Sequence, residues 1–262
     1  MRHRPSWPRI NRTAPLGKGL VLGLFGGGAG TSKAFDASGY GNDGTLMDMD
    51  PPTDWVWAPE LGRWAVDFDG TNDAIFLPVF KVNGWAQISM TIWIDQYSSG
   101  VDVPLSVPDG LTTQCAVLVI LSSTTFRTDV NAAGNTLSVS TTTGLHHVAM
   151  TYDGASKKSY WDGVLQESAA ISGALETVTD ELNIGRFSSF PINNFGGRLS
   201  DAAIWNRALC PTELAALADP SNVDLRLGGS SLIQEPRPRR NFVGYVAPAA
   251  GGNPWNYYAQ VG

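Results

Sequence analysis

Cysteine is scarce in this chain of 262 residues, which contains only two. That number excludes a disulfide framework, and the spacing of Cys115 and Cys210 does not imply a bridge, so we expect two reduced, packed thiols. Long apolar runs are also missing. The N-terminus is basic but no apolar segment of signal-peptide length follows it, and no stretch reaches transmembrane length. These absences predict a protein that has no signal peptide and is used away from membranes.

Charged residues are few as well, at 16% of the chain, whereas the 29 glycines and 16 prolines are many. Such a turn-rich composition is unsuited to helix bundles and typical of all-β folds. The net charge of −6 is unevenly spread: residues 1–18 carry five basic and no acidic side chains, and residues 234–262 carry three arginines against one glutamate. The body between them is acidic, which argues against nucleic-acid binding across its face.

The clearest local pattern is a β-hairpin in the stretch GLHHVAMTYDGASKKSYWDG at 144–163. Aromatic and β-branched runs flank a polar glycine turn, and Asp162-Gly163 adds a second turn because glycine tolerates positive φ. Similar runs recur at intervals of roughly 8–12 residues, with a longer loop at 95–113 and one short helix at 211–217. This pattern predicts an all-β antiparallel sandwich or jelly roll.

Three segments are predicted: an extended basic arm at 1–18, the sandwich domain at 19–220, and an extended tail with an aromatic end at 221–262. Prolines keep the arm out of a central strand. A basic arm seeks an acidic surface, and aromatic side chains rarely stay in water. Trp7 is as compatible with a lid on its own domain as with an anchor, and the tail aromatics favour docking over folding back. The predicted partner-docking residues are Arg4, Trp7, Arg9, Arg12, Arg237, Arg239, Arg240, Trp255, Tyr257 and Tyr258.

Hard oxygen ligands occur together in the turn DGTND at 69–73. Asp69, Asn72 and Asp73 could offer oxygens to Ca²⁺, with Asp36 or Asp201 as a further ligand. The favoured interpretation is a turn capped by its own carboxylates. The loop at 36–46, rich in Asp, Asn, Ser and Gly, is also interpreted as structural, since it lacks the regular acidic spacing of an EF-hand. We therefore predict no required cofactor, with calcium as a possibility.

Tryptophans supply the candidate ligand-binding residues. Trp55 and Trp57 lie two apart and share a face if the segment is extended. Together with Trp85 they could stack on sugar rings through their apolar faces. The alternative interpretation is an edge that packs against the sandwich.

A set of segments resembles a known family in content and order. They are DASGYGNDGTL at 36–46, GRWAVDFDGTNDAIFLP at 62–78, ISMTIWI at 88–94, the hairpin with its extension to 169, LNIGR at 182–186 and FGGRLSDAAIWNRALCPTEL at 195–214. The set is similar to the laminin-G-like, concanavalin A-like jelly roll and covers about residues 20–218. Leu145 stands where the family usually has a tryptophan. The resemblance implies two stacked antiparallel sheets of six or seven strands.

A second resemblance rests on PLGKGLV at 15–21, MDPPTDWV at 49–56 and RPRR at 237–240. These stretches look similar to proteins encoded among the structural genes of tailed bacteriophages. That likeness implies a virion protein made in the host cytoplasm.

Catalysis has little support in the sequence, and we predict that the chain is not an enzyme. His146 and His147 are adjacent, so on a strand they face opposite sides and cannot act as a pair. The glycosidases of the resembled superfamily carry paired acids in a Glu-x-Asp-x-x-Glu pattern, which is absent here. Glycoside hydrolysis requires such a pair of carboxylates.

Two functional hypotheses remain, and they are compatible. The first is a virion structural protein, a capsid decoration or head-fibre component on the capsid surface. Its ends would dock on the major capsid protein, another virion protein or sister subunits of a homo-oligomer. The second is a carbohydrate-binding adhesin that recognises a cell-surface glycan. Neither hypothesis involves nucleic acid or a membrane.

Overall fold

The computed structural model describes residues 9–10, 12–77, 82, 84–97, 100–108, 114–122, 125–131, 133–138, 144–176, 182–187, 193–221 and 233–234. Nearly all of these ranges belong to one sandwich of two antiparallel sheets, as predicted. No helix in these ranges is long and apolar enough to cross a membrane.

Sheet I contains eight strands in the described ranges. In spatial order they are β12 (Ala133–Ser138), β11 (Thr125–Val130), β10 (Gln114–Ser122), β9 (Asp102–Pro108), β16 (Leu182–Ile184), β7 (Ala74–Leu77), β4 (Gly44–Met47) and β3 (Lys33–Ala34). Strand β9 lies inside the segment 95–113, which the sequence predicted to be a loop. That prediction was wrong, because β9 pairs with β10 and β16.

Among the described residues, sheet II has seven strands in its main path. They are β15 (Val164–Ala170), β14 (Ser156–Trp161), β13 (Leu145–Tyr152), β8 (Ile88–Gln96), β17 (Gly196–Trp205), β6 (Arg63–Asp69) and β5 (Trp55–Ala58). Strand β2 (Leu20–Leu24) pairs with the second half of β17, beyond β6. The predicted hairpin is β13–β14, and Asp162 and Gly163 both take positive φ in the next turn.

The main core fills the space between the sheets. Alternate residues of the long strands point into it, as in Ile88, Met90, Ile92 and Ile94 of β8, which are each at most 1% exposed. Cys115 is buried in this core, whereas Cys210 is exposed, so only one of the two thiols is packed as predicted.

A smaller core covers the outer face of sheet II at the Trp205 end of β17. The predicted helix is present as α2 (Pro211–Leu217), and its Leu214 and Leu217 pack there. A single turn, α1 (Pro51–Asp54), forms a second helix that was not predicted. Gly163 approaches α2 closely enough that a Cβ there would lie 2.9 Å from the Cα of Ala215.

The N-terminal segment is less extended than predicted. Pro15–Gly17 forms a 3₁₀ turn, Leu16 is buried in the smaller core, and the indole Nε1 of Trp205 donates to the Leu16 carbonyl at 2.7 Å. Farther out, β1 (Arg9–Ile10) pairs with β18 (Ile233–Gln234). The two ends of the described chain therefore meet on the domain.

Candidate functional site

Two exposed tryptophans face each other at the edge of sheet II. Trp57 on β5 is 51% exposed, and Trp64 on β6 is 41% exposed. Their ring centroids lie 5.8 Å apart in an edge-to-face arrangement, which is a favourable geometry for aromatic rings. We call these two side chains the aromatic pair.

Hairpin pairing brings the aromatic pair together. Residues 59–62 form the turn between β5 and β6, so that Trp57 is directly opposite Trp64. The loop that follows β2 packs against the second tryptophan, since a Cβ on Gly26 would lie 3.0 Å from the Trp64 carbonyl oxygen. Sequence analysis missed Trp64. Its signal was the equal spacing of the two tryptophans from the turn PELG.

The other two predicted glycan-stacking residues are less exposed. Trp55 is 6% exposed in the main core, and its indole Nε1 donates to the Thr31 carbonyl at 2.9 Å. Trp85 is half-buried and packs against the same core. Burial on this scale fits the alternative interpretation, a packed edge, for both side chains. Only Trp57 of the predicted set is exposed.

A second surface is an acidic depression of about 450 Å³ at the Gly196 end of β17. Its carboxylates are Asp54, Asp67, Asp69 and Asp73, and Tyr97, which is 60% exposed, forms part of its wall. The backbone explains the grouping, because β6 ends at Asp69, β7 begins after Asp73, and Gly196 pairs with Asp69.

Burial makes two of these carboxylates, Asp67 and Asp73, hard to ionise. The pKa of Asp73 rises to about 6, first because burial penalises the charged form and then because Asp69 and Asp54 are nearby, although the Asp69 N–H opposes the rise. Burial also raises the pKa of Asp67, against the opposing effect of Arg198. The depression therefore holds carboxylates that gain from protonation or from a compensating cation.

The predicted calcium ligands are already engaged within their own turn. Asp69 accepts from the Thr71 N–H at 2.7 Å, and Asp73 accepts from the Asp69 N–H at 2.8 Å, while Asn72 is exposed. In the part of the chain that the structure describes, no three His, Cys, Asp or Glu side chains are grouped to hold a metal ion. The geometry fits a turn capped by its own carboxylates, and calcium binding stays a prediction.

The two further calcium candidates have other partners. Asp36 accepts hydrogen bonds from the N–H groups of Gly23, Ser38 and Asn42, which organises the loop at 36–46 as a structural loop. Asp201 is 7% exposed and forms a buried ion pair with Arg63. Neither carboxylate belongs to the acidic depression.

The adjacent histidines point to different environments, as expected on a strand. His147 is 2% exposed against the ring of Trp93, and burial lowers its pKa to about 3. His146 lies on the opposite face, where its Nδ1 is 2.8 Å from the Asp162 carboxylate. The two rings do not form a catalytic pair.

Family comparison agrees with this architecture. Residues 69–215 match the model of the concanavalin A-like lectin/glucanases superfamily, which is more than half of the chain. The chain belongs to this superfamily. No curated protein matches its sequence.

Several solved structures share the fold of this lectin-like jelly roll. Domain 4 of the arabinanase AbnA from Geobacillus stearothermophilus, solved in complex with arabinotriose, has a TM-score of 0.57 at 18% identity, covering 76% of this chain and 98% of that one. A sialidase mutant from Trypanosoma rangeli gives 0.61 at 15%, covering 83% and 36%. The receptor binding domain of botulinum neurotoxin D gives 0.58 at 14%, covering 79% and 54%. At these identities the likeness concerns the fold.

Most predicted docking residues of the lectin-like chain lie outside the described ranges. These are Arg4, Trp7, Arg237, Arg239, Arg240, Trp255, Tyr257 and Tyr258. Arg9 begins β1. Arg12 contacts its own domain, with its guanidinium 4.5 Å from the Tyr40 ring centroid and a bond to the Ser38 carbonyl, instead of extending away from it.

The acidic depression predicts an unusual pH dependence of stability. A folded-state pKa of about 6 for Asp73, above its ordinary value of 3.8, means that its stabilising effect is complete below about pH 3.8 and is lost as the pH rises through 6. We expect Asp73→Asn, which keeps an acceptor oxygen, to raise the melting temperature at pH 7 and to have little effect near pH 4. Thermal denaturation across pH 4–8 measures this.

Asp153→Asn is the matched control, because the pKa of Asp153 is lowered where that of Asp73 is raised. Hydrogen bonds from the N–H groups of Ala155 and Ser156 lower the pKa of Asp153, so its stabilising effect is present above the ordinary value and lost as the pH falls. This variant should melt earlier than the wild type at pH 7. Equal melting of wild type and Asp73→Asn at neutral pH would contradict the electrostatic account of the depression.

Proposed function

We propose that this lectin-like domain binds glycans through the aromatic pair. The single observation that carries the proposal is that Trp57 and Trp64, both more than 40% exposed, pair across two hydrogen-bonded strands. Tryptophan is the largest apolar side chain, and leaving two of them in water forgoes about 2 kcal/mol or more of burial each. Indole rings can stack on the apolar face of a pyranose or furanose ring.

Rigidity supports the same proposal. The rings sit on paired strands, and Trp64 is backed by the Gly26 loop, so little conformational freedom is lost on binding. The fold is also that of an arabinanase domain solved in complex with arabinotriose. Glycoside hydrolysis needs a pair of carboxylates, and the two tryptophans of the aromatic pair supply none. We therefore infer a binding role without catalysis.

A glycan array followed by titration calorimetry tests the proposal. The full chain is expected to bind at least one neutral oligosaccharide, and Trp57→Ala and Trp64→Ala are each expected to weaken that binding about tenfold or more, equivalent to about 1.4 kcal/mol. Exposed rings contribute little to folding stability, so the melting temperature of both variants should stay close to that of the wild type.

Tyr97→Ala is the control variant, because Tyr97 is more exposed than either tryptophan but belongs to the acidic depression. It should bind as the wild type does. An array without hits would contradict glycan binding by this chain. A hit that depends on Tyr97 and not on the tryptophans would assign glycan binding to the acidic depression.

A second candidate function concerns display. We propose that the domain is a capsid decoration or head-fibre protein of a tailed bacteriophage, attached to the major capsid protein or another virion protein by its ends. The observation that favours it is the pairing of β1 with β18, which brings together residues 9–10 and 233–234, each next to a basic stretch of the sequence, on an otherwise acidic domain. A chain held there leaves the aromatic pair free to meet a cell-surface glycan.

Particle incorporation tests this second function. Because Leu16 is buried in the smaller core, the appropriate truncations remove only residues 1–8 or 235–262. Each truncated chain is expected to fold with an unchanged circular dichroism spectrum and to be missing from purified particles. Incorporation of both truncated chains at the wild-type copy number would refute attachment through the ends.

A further inference from the structure

A narrow cavity lies where β2 and β6 separate along β17. Strand β6 pairs with β17 up to Leu199, and β2 pairs with it from Ala202 onward. In the described strands, Ser200 and Asp201 of the bulge between them have no partner in either ladder. The gap between the end of β2 and the start of β6 holds a cavity of about 30 Å³.

This cavity runs from the surface into the main core. Its deep wall is formed by Ile75, Ile92 and Ile184, which are each at most 3% exposed. Its outer wall includes Gly26, which is half-buried, and Trp64, which is exposed. Because Trp64 is one half of the aromatic pair, a sugar ring stacked on that pair would lie beside the mouth of the cavity.

The size and lining of the cavity suit a methyl group. A single water molecule needs at least about 10 Å³ of such space, and a cavity with aliphatic walls tends to stay dry. Among the described lining residues, only Ser200 and Asp201 carry a hydroxyl or carboxyl group. The cavity therefore matches a small apolar group that has polar atoms next to it.

Hydrogen bonds fix the walls of the cavity. Ser200 Oγ donates to the Trp64 carbonyl at 3.2 Å, which joins the bulge to β6. The Gly27 carbonyl accepts from the Phe35 N–H at 2.9 Å, which holds the loop after β2. A Cβ on Gly26 would lie 3.0 Å from the Trp64 carbonyl oxygen, so this loop already approaches β6 closely. A ligand that enters such a fixed cavity loses little affinity to reorganisation of the protein.

We propose that the cavity receives the methyl group of an N-acetylated sugar whose ring stacks on the aromatic pair. The inference rests on the proposed glycan binding and names its ligand class. An acetamido substituent has a methyl group next to an amide, and the cavity has an apolar space next to Ser200 and Asp201. Arg63 already neutralises Asp201, so the lining offers no counter-charge to a charged sugar substituent.

Titration calorimetry of the full chain with two trisaccharides tests the inference. Chitotriose that is N-acetylated on every ring and cellotriose share a backbone, and they differ only in carrying an acetamido or a hydroxyl group on each sugar ring. The N-acetylated ligand is expected to bind about tenfold or more tightly, since only it buries a methyl group and adds amide hydrogen bonds.

Cavity-filling variants locate the preference. Ala34 and Ala202 line the cavity from opposite sheets, and Ala34→Val or Ala202→Val adds two methyl groups to its wall. Each variant is expected to reduce the tenfold preference to about twofold or less. Ala116→Val is the matched control, because Ala116 is equally buried in the main core but does not line the cavity. It should keep the full preference, and melting temperatures verify that all three variants fold.

Four outcomes would overturn the inference. Equal binding of the two trisaccharides that is lost in Trp57→Ala and Trp64→Ala would remove the role of the cavity and keep the proposed glycan binding. If chitotriose does not bind, the inference fails, and the glycan array then decides the proposed function separately. Tighter binding of a fucosylated ligand than of its N-acetylated counterpart would assign the cavity to the methyl group of a deoxy sugar. Loss of the preference in Ala116→Val as well would attribute it to the packing of the whole core.

Discussion

Arg63→Ala is expected to destabilise the domain by about 3–5 kcal/mol, because it leaves the carboxylate of Asp201 buried without its counter-charge. The side chains of Arg63 and Asp201 are 9% and 7% exposed. The pair lies where β17 changes partners, since β6 accompanies its first half and β2 its second. Asp201 itself has φ of 52° at the bulge between these halves. Urea denaturation at pH 7 measures the loss.

Two variants isolate the cause. Lys158→Ala removes a cation of the same sheet whose pair with Asp153 is exposed, at 38% and 37% for the two side chains, and it should cost about 1 kcal/mol or less. The double variant Arg63→Met with Asp201→Asn removes both charges and should recover more than half of the loss. A cost for Arg63→Ala no greater than that for Lys158→Ala would mean that the Arg63–Asp201 pair does not hold the bulge.

Trp205→Ala is the second large effect, with an expected destabilisation of about 3–5 kcal/mol. Trp205 is fully buried at the centre of the smaller core, between sheet II, α2 and the N-terminal segment. Its indole also holds the Leu16 carbonyl at 2.7 Å. The truncation creates a cavity and releases the segment that carries β1. Calorimetric melting and limited proteolysis of the N-terminal segment measure the two consequences.

Trp205→Phe separates packing from hydrogen bonding. It keeps most of the ring but leaves the Leu16 carbonyl without its donor, which should cost about 1–2 kcal/mol. Trp57→Ala, at a half-exposed site, should change stability by about 1 kcal/mol or less. Equal losses at Trp57 and Trp205 would show that the smaller core does not hold the N-terminal segment in place.

Local signals explain what could be predicted about the fold. The alternation in ISMTIWI at 88–94 identifies a strand, and Asp-Gly at 162–163 identifies a turn, because each depends only on neighbouring residues. The alternation predicted a half-buried strand, which was wrong, since both faces of β8 are buried. The helix at 211–217 was predicted for the same reason, from its proline at the start and Asp219-Pro220 after it. The family resemblance added that these strands form two stacked antiparallel sheets.

Contacts distant in sequence explain what could not be predicted. Strand β9 contains two prolines, which argue against a central strand in a sequence, and it forms because β10 and β16 flank it. Trp55, Trp57 and Trp64 are chemically equal in the sequence. Which of them is buried depends on the Thr31 carbonyl and the core, so the spacing around the turn could indicate that Trp57 and Trp64 pair but not that they stay exposed.

The sequence by itself determined an acidic all-β jelly roll with basic ends, because composition, alternation and turn chemistry act within a few residues of one another. Only the tertiary structure decided which side chains remain available for function. Burial makes Trp55, Asp201 and His147 inaccessible to a ligand. Strand pairing places Trp57 beside Trp64, and β1 beside β18. The physical reason is that exposure and proximity belong to the packed chain, where residues far apart in sequence compete for the same interior.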